Sequence, residues 1–287
     1  MNEHLPRAIT EDEIATYQRD GIVLLRQLFD MAWVEHLRAA VAEDMARPGP
    51  MCKNVNRGGS GHFFGDTFVW THHRAFRQFL RTSPVAEIAS TVMASSKTNL
   101  FFDQILAKAP GTTAPTIWHH DQPFWPVAGE QVCTVWIALD PVTADNGAVE
   151  YVKGSHRWGQ RFRAESFDEN ERYGEALPPV PDIEADRARY SFAQFEMAPG
   201  DCTVHHGLTV HWAPGNSTQS IDRRAYITRW AGEDATYFPR PLIQKMLYDP
   251  QLTCGGPLDC ELWPVLWPRP DNLVAPSRPA DPRPASG

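Results

Sequence analysis

"TIWHHDQPFWPV", residues 116–127, sets two histidines directly before an aspartate. β-formers and aromatics bound the run, so it reads as a strand end opening into a loop. Side chains on a strand alternate faces. His119 and Asp121 are therefore predicted to share a face, with His120 pointing away. A His-x-Asp pair on one face is two-thirds of a metal site, and the rest of the chain must supply a third ligand.

The bulk properties permit an enzyme. The chain has 287 residues, 42% of them hydrophobic, and a formal net charge of −8. That length fits two average domains or one large all-β domain with additions. The negative charge argues against a general nucleic-acid or anionic-membrane surface. Five cysteines, Cys52, Cys133, Cys202, Cys254 and Cys260, contain no C-x-x-C pair. Buried free thiols in a reducing compartment are expected rather than a disulfide or zinc framework. "MNEHLPRAIT" has no apolar h-region, and no apolar run reaches about 18 residues. A cytoplasmic location with no membrane partner is the expectation. No pattern in the chain specifies an oligomeric state.

Residues 10–97 read as helical or mixed support. Thr10 with Glu13 makes a capping box, and Gly21 stops that helix. "GIVLL", 21–25, is a short strand. Asp30 caps a second helix whose apolar face is Trp33, Val34, Leu37, Val41 and Met45, and Pro48-Gly49-Pro50 ends it. His72 and His73 read as surface or helix-cap histidines. From 98 to about 232, short β runs with turn signals predict an antiparallel sandwich or barrel. Residues 160–190 interrupt it with a polar, Pro-containing insertion of the kind that forms a lid or binding loop. A Pro-rich tail, 264–287, is expected on the surface or disordered.

The third ligand belongs in the second half of the barrel. "MAPGDCTVHHGLTVHWAPGNSTQSIDRRAYITRW", 197–230, offers His205, His206 and His211. Context favours His211, which opens "HWAPGN" after a Pro-Gly-Asp turn and one strand. Twelve residues later comes Arg223, then Arg224, in a run that reads as the next strand. A metal there could hold one end of a dicarboxylate while guanidinium grips the other. Two histidines and one carboxylate on one face leave three octahedral positions open, the preference of non-haem Fe(II) oxygenases. Zinc accepts the same donors in hydrolases. No obvious general base stands beside the pair, and the arginine suits a bound 2-oxo acid, so iron is preferred.

The segments "WHHDQPFW", "DNGAVEYVKGSHRWG", "PGDCTVHHGLTVHWAPGN" and "RRA" resemble the phytanoyl-CoA dioxygenase (PhyH-like) family of Fe(II)- and 2-oxoglutarate-dependent oxygenases. "YQRDGIVLLRQLFD" is similar to that family's opening, so the likeness covers about residues 10–232. The resemblance implies a single oxygenase domain, 1–287, mainly β with flanking α-helices. Its core, 98–232, would be a double-stranded β-helix (a cupin-like jelly roll). It implies His119, Asp121 and His211 as catalytic iron ligands and Arg223 as the 2-oxoglutarate clamp, with Arg224 the alternative if the register slips. Gln104 and Trp136 would line the cosubstrate site. Ala213 stands where the family often has a small hydroxyl residue, and Thr116 is a candidate to supply that hydrogen bond. The usual Pro-Gly-Ser-His turn reads Lys153-Gly154-Ser155-His156, with no chemical role assigned. Asp121 keeps the carboxylate that related halogenases replace.

The implied reaction uses O2 and 2-oxoglutarate to hydroxylate an unactivated C–H bond of a small organic substrate, releasing succinate and CO2. An acyl-CoA 2-hydroxylase of the same family is an alternative. So are a non-catalytic cupin-like metal-binding protein and a zinc hydrolase. Coenzyme A recognition recruits basic side chains, yet Lys is scarce and the insertion is acid-rich, which points to a smaller substrate. Phe124 and Trp125 are expected at the mouth of the site. Asn56 and Arg57, in "NVNRGGSGHFFG", are candidates for a polar or anionic group.

Overall fold

The strands around residue 227 keep one register from residue 223 to residue 229, and their alternation builds the two sides of the molecule. In a computed structural model, residues 1–54, 60–164, 177–240, 244–278 and 280 are described. The elements run α1 (Glu11–Asp20), β1 (Ile22–Leu25), α2 (Met31–Ala46), β2 (Lys53–Asn54), β3 (Phe63–Thr67), α3 (Arg74–Thr82), α4 (Val85–Met93) and β4 (Thr98–Lys108). Then come β5 (Thr116–His119), β6 (Val127–Ala128), β7 (Val132–Ala138), β8 (Glu150–Val152), β9 (Phe192–Gln194) and β10 (Cys202–His206). The last are β11 (His211–Ala213), β12 (Arg223–Ala231), β13 (Thr236–Tyr237) and β14 (Val265–Trp267).

The larger sheet has the order β1-β10-β7-β12-β4-β3-β2, with β14 also on β4. Every pairing in it is antiparallel. Ile105, Tyr226, Ile137 and Cys202 lie opposite one another across four strands. They bury against Trp33, Phe76, Phe79 and Ile88 of the helices. The adjacent row, Gln104, Ile227, Trp136 and Thr203, faces the other way. That second face looks onto a smaller sheet of order β5-β11-β8-β9. Tyr151 Oη, 3.1 Å from Thr203 Oγ1, bridges the two. The result is the double-stranded β-helix of a jelly roll flanked by helices.

The helix signals act as read. Thr10 and Glu13 form a complete capping box. Gly21 ends α1 at φ +73, and its amide reaches the Tyr17 carbonyl at 2.8 Å. A side chain there would meet His156 Nδ1 and Thr209 Oγ1 within about 2.5 Å. His73 caps α3 by accepting from the Ala75 amide at 3.2 Å. Asn216, buried, ties its loop to the carbonyls of Lys108 and Ile221. Ser155, in the Lys153–His156 turn, accepts the Val210 amide at 2.8 Å and donates to the Val152 carbonyl. That turn sets the chain just before β11.

Several expectations need correction. The β framework does not start at 98 or stop at 232, because β1, β2, β3 and β14 all join the larger sheet. The Pro-rich tail accordingly begins inside the fold, with Leu266 buried on β14. Met45 is exposed, and Asp44 turns inward in its place, its Oδ1 3.0 Å from His72 Nε2. Only Cys133 and Cys202 are buried among the five free cysteines. Of the insertion, Ile183 and Phe162 pack on Val152 and Val210, and no described residue of 160–190 lines the cavity between the two sheets. Among the described residues no helix is long and apolar enough to cross a membrane.

Candidate active site

β5 ends at His119, and Asp121 already has helical torsions, φ −73 and ψ −47, at the start of one 3-10 turn. Asp121 therefore reaches His119 through the turn and not through strand alternation, which corrects the reason for the pairing but not the pairing. The Gln122 amide anchors the turn on the Gly207 carbonyl at 2.8 Å. His211 lies directly opposite His119 across the β11–β5 ladder. His119 Nε2 is 3.5 Å and His211 Nε2 is 3.9 Å from the same oxygen, Asp121 Oδ1. All three residues are buried, and their candidate ligand atoms lie within 4.8 Å of one another.

His120 points elsewhere. Its Nε2 accepts the Phe162 amide at 3.0 Å, and burial pushes its pKa down to about 4. It is a neutral packing histidine.

The tautomers of the other two follow from their neighbours. His119 Nδ1 donates to the Ile117 carbonyl at 2.7 Å and His211 Nδ1 to the Thr209 carbonyl at 2.9 Å. A carbonyl can only accept, so each Nδ1 carries the proton and each Nε2 lone pair faces Asp121. This is how imidazole ligands to metals are held. Burial, and then the neighbouring His119 and His205, keeps His211 well below the ordinary imidazole range. It is neutral and able to donate.

The far oxygen of Asp121 is gripped from the large sheet. Arg229, Thr134 and His205 lie opposite one another on β12, β7 and β10. Thr134 Oγ1 donates to Asp121 Oδ2 at 2.8 Å, His205 Nε2 lies at 3.2 Å and Arg229 Nε at 4.0 Å. Burial by itself would raise the carboxyl. The hydrogen bond from His205 and the charge of Arg229 instead hold it well below the usual range. Asp121 is a carboxylate with Oδ1 left for the triad.

The triad opens onto a cavity of about 140 Å³. That is room for on the order of ten waters, more than one metal ion needs. Arg223 lies in its wall, buried, with its guanidinium carbon 5.5 Å from the Trp136 ring centre. Burial lowers its pKa to about 10, so it stays charged at neutral pH. Among the described residues its side chain makes no hydrogen bond, and Nε is buried without a partner. Asp140, whose charge it feels, is already engaged by Arg224 at 2.7 and 2.8 Å and by Arg38 at 3.3 Å. Arg224 thus faces outward, as strand alternation requires, and Arg223 faces the cavity.

Gln104, Trp136 and Thr116 also line the cavity, and Thr116 lies opposite Ala213. Phe124 and Trp125 line it as buried wall rather than mouth, Trp125 packing on Phe101 and Phe102. Asn56 and Arg57 lie outside the described residues. Sequence reading passed over His205 and did not single out Thr134 or Arg229. An even spacing was the available signal, since residues 223, 225, 227 and 229 of one strand share a face.

A triad of two imidazoles, each with its Nδ1 proton on a backbone carbonyl, and one carboxylate fits Fe(II). The orphaned buried guanidinium of Arg223 fits one carboxylate of a dicarboxylic acid. The comparisons agree. Phytanoyl-CoA dioxygenase (PhyH) matches residues 17–225. The dioxygenase aneA of Aspergillus aculeatus is 24% identical, over 86% of this chain and 85% of its own. The multifunctional dioxygenase prhA of Penicillium brasilianum is 25% identical, over 78% and 73%. The crystal structure of the non-heme alpha ketoglutarate dependent carbocyclase SnoK, from nogalamycin biosynthesis, is 25% identical. It superposes with a TM-score of 0.74, covering 92% of this chain and 99% of that one. EctD from S. alaskensis, crystallised with 2-oxoglutarate and 5-hydroxyectoine, shares the fold at 17% identity, a TM-score of 0.68 and 89% and 88% coverage. The chain belongs to the phytanoyl-CoA dioxygenase (PhyH) family and is a 2-oxoglutarate-dependent dioxygenase.

Proposed function

We propose that this protein hydroxylates an unactivated C–H bond of a small organic molecule, with 2-oxoglutarate converted to succinate and CO2. The observation that carries the reading is the pairing of a preset His-Asp-His triad with a buried, unpartnered arginine in one cavity. Bound Fe(II) with 2-oxoglutarate would supply an O2-derived oxidant strong enough for such a bond.

The residues divide the remaining work. His119 Nε2, Asp121 Oδ1 and His211 Nε2 would hold the metal at one side of the cavity. Arg223 would take the distal carboxylate of 2-oxoglutarate, with Thr116 supplying the hydroxyl that Ala213 lacks. Trp136 stacks on the guanidinium and shields it from water, which strengthens the charge-assisted pair. Gln104 would close the same wall. Phe124 and Trp125 keep the reacting end of the cavity dry, so the oxidant meets the positioned C–H bond and not solvent. A zinc hydrolase would need a general base within reach of a metal-bound water. Asp121 is the sole carboxylate among the described residues that line the cavity, and its far oxygen is already committed.

The test is an anaerobically prepared Fe(II) protein given 2-oxoglutarate, then O2, with and without a panel of small organic acids and natural products. Succinate formed in proportion to a product that gains one oxygen supports the reading. No succinate under any condition would leave a hydrolase or a non-catalytic metal-binding protein. The carbocyclase and epimerase activities named for solved relatives of this fold are product outcomes that mass spectrometry separates from hydroxylation.

A further inference from the structure

A second arginine in the cavity is not accounted for by iron or cosubstrate. Arg229 follows Arg223 by six residues on the same face of β12, roughly 20 Å along the strand. The two front different walls. Arg223 stands over Trp136, whereas the Arg229 guanidinium carbon is 4.5 Å from the Phe102 ring centre and 5.5 Å from that of Trp125. Arg229 is only 8% exposed. Its Nη2 donates to Gln104 Oε1 at 2.7 Å, which fixes the plane of the group. Nε and Nη1 are buried with no hydrogen-bond partner. A buried cation with idle donors is costly unless something completes it.

Asp121 does not complete it. Nε is 4.0 Å from Asp121 Oδ2, beyond hydrogen-bond reach, and that oxygen already has Thr134 and His205. The charge account then depends on the function proposed above. A ferrous ion and a 2-oxoglutarate dianion cancel, and Asp121 cancels one of the two arginines. One positive charge remains. No other acid lines the cavity among the described residues.

We propose that Arg229 is the substrate anchor: it binds a carboxylate on a molecule whose apolar body lies along Phe124 and Trp125. Gln104 is the positioning residue that aims it. A carboxylate balances the charge of Arg229, whereas a neutral substrate leaves it buried. The carboxylate would sit next to the iron-binding triad, so the bond oxidised would be within a few carbons of that group.

The test uses protein loaded anaerobically with Fe(II) and 2-oxoglutarate. Phenylacetate, 3-phenylpropionate and 4-phenylbutyrate are each titrated beside their primary amides. Binding is followed by the charge-transfer band of the ferrous complex and by tryptophan fluorescence. At least one acid is expected to bind about tenfold or more tighter than its amide, a charge-assisted hydrogen bond being worth that much. Arg229→Gln should erase the preference, and Arg229→Lys should keep part of it. Arg229→Lys carries the test if the glutamine variant does not fold. Three results overturn the proposal. One is no preference for acids in the unaltered protein. Another is a preference that survives Arg229→Gln but is lost in Arg223→Gln, which would place the acids in the cosubstrate site. The third is loss of iron from Arg229→Gln with the preference unchanged, which would make Arg229 a counter-charge to Asp121. A 2-oxoglutarate titration of each variant runs alongside. Failure of the unaltered protein to bind 2-oxoglutarate would count against the proposed function, while an Arg229-dependent preference for acids in that protein would still support the anchor.

Discussion

His205 Nε2 lies 3.2 Å from Asp121 Oδ2, the oxygen turned away from the two histidines of the triad. Asp121 is thus held between the two sheets: Oδ1 faces β5 and β11, and Oδ2 faces Thr134 and His205 on the large sheet. Outer partners of this kind commonly set metal affinity by about 10–100-fold. Thr134→Val and His205→Leu should each weaken Fe(II) binding by that order, measured by chelator competition. Unchanged affinity in both would show that Oδ1 needs no support from its twin oxygen.

His119→Ala and His211→Ala should abolish stoichiometric Fe(II) binding. His120→Ala should keep it and lose stability instead, by about 2–4 kcal/mol, because a buried ring and its bond to the Phe162 amide are removed. Metal titration and denaturant melts of the three variants separate these effects. Iron loss confined to His120→Ala would sink the assignment.

Arg223→Ala should weaken 2-oxoglutarate binding by about one to two orders of magnitude, since a charge-assisted hydrogen bond is worth roughly 1.5–3 kcal/mol. Arg223→Lys should recover part of this. Arg224→Ala should leave the affinity alone. The Arg224 side chain is itself partly exposed, 26%, and Arg38 still pairs with Asp140, so the cost is only about 1 kcal/mol of stability. The charge-transfer band of the anaerobic ferrous complex reports the first effect and thermal melts the second.

Asp103 gives a pH dependence with a definite sign. Its Oδ2 accepts the Trp70 amide at 2.9 Å and the Tyr226 hydroxyl at 2.7 Å, while Oδ1 is buried without a partner. Burial raises its pKa to about 7, against about 3.9 for the unfolded chain. The folded state therefore holds the proton more tightly. The stability this adds is complete below about pH 4 and is lost as pH rises through 7. Asp66, raised to about 6 by burial and the charge of Asp44, acts in the same direction. Melting temperature should fall from pH 5 to 8, and Asp103→Asn should flatten the upper part of that fall. An identical slope in the variant would refute the assignment.

Local chemistry alone determined much of this protein. Caps at Thr10, Gly21 and Asp30, and the period-two runs that became β4, β7, β10 and β12, depend on neighbours a few residues apart. The His-x-Asp spacing and His211 are legible as ordered motifs, and alternation puts Arg223 and Arg224 on opposite faces without saying which of them meets the cavity. Tertiary structure decided the rest, because those contacts join residues far apart in sequence. The turn after β5 placed Asp121, and a row across three strands brought Thr134, His205 and Arg229 onto it, between 13 and 108 positions away. The inward turn of Asp44 required His72, 28 residues on. Residues 265–267 became a strand because β4 offered them an open edge, which no property of a Pro-rich tail predicts. Periodicity names the face a side chain occupies, but only the packed sheets show what that face meets.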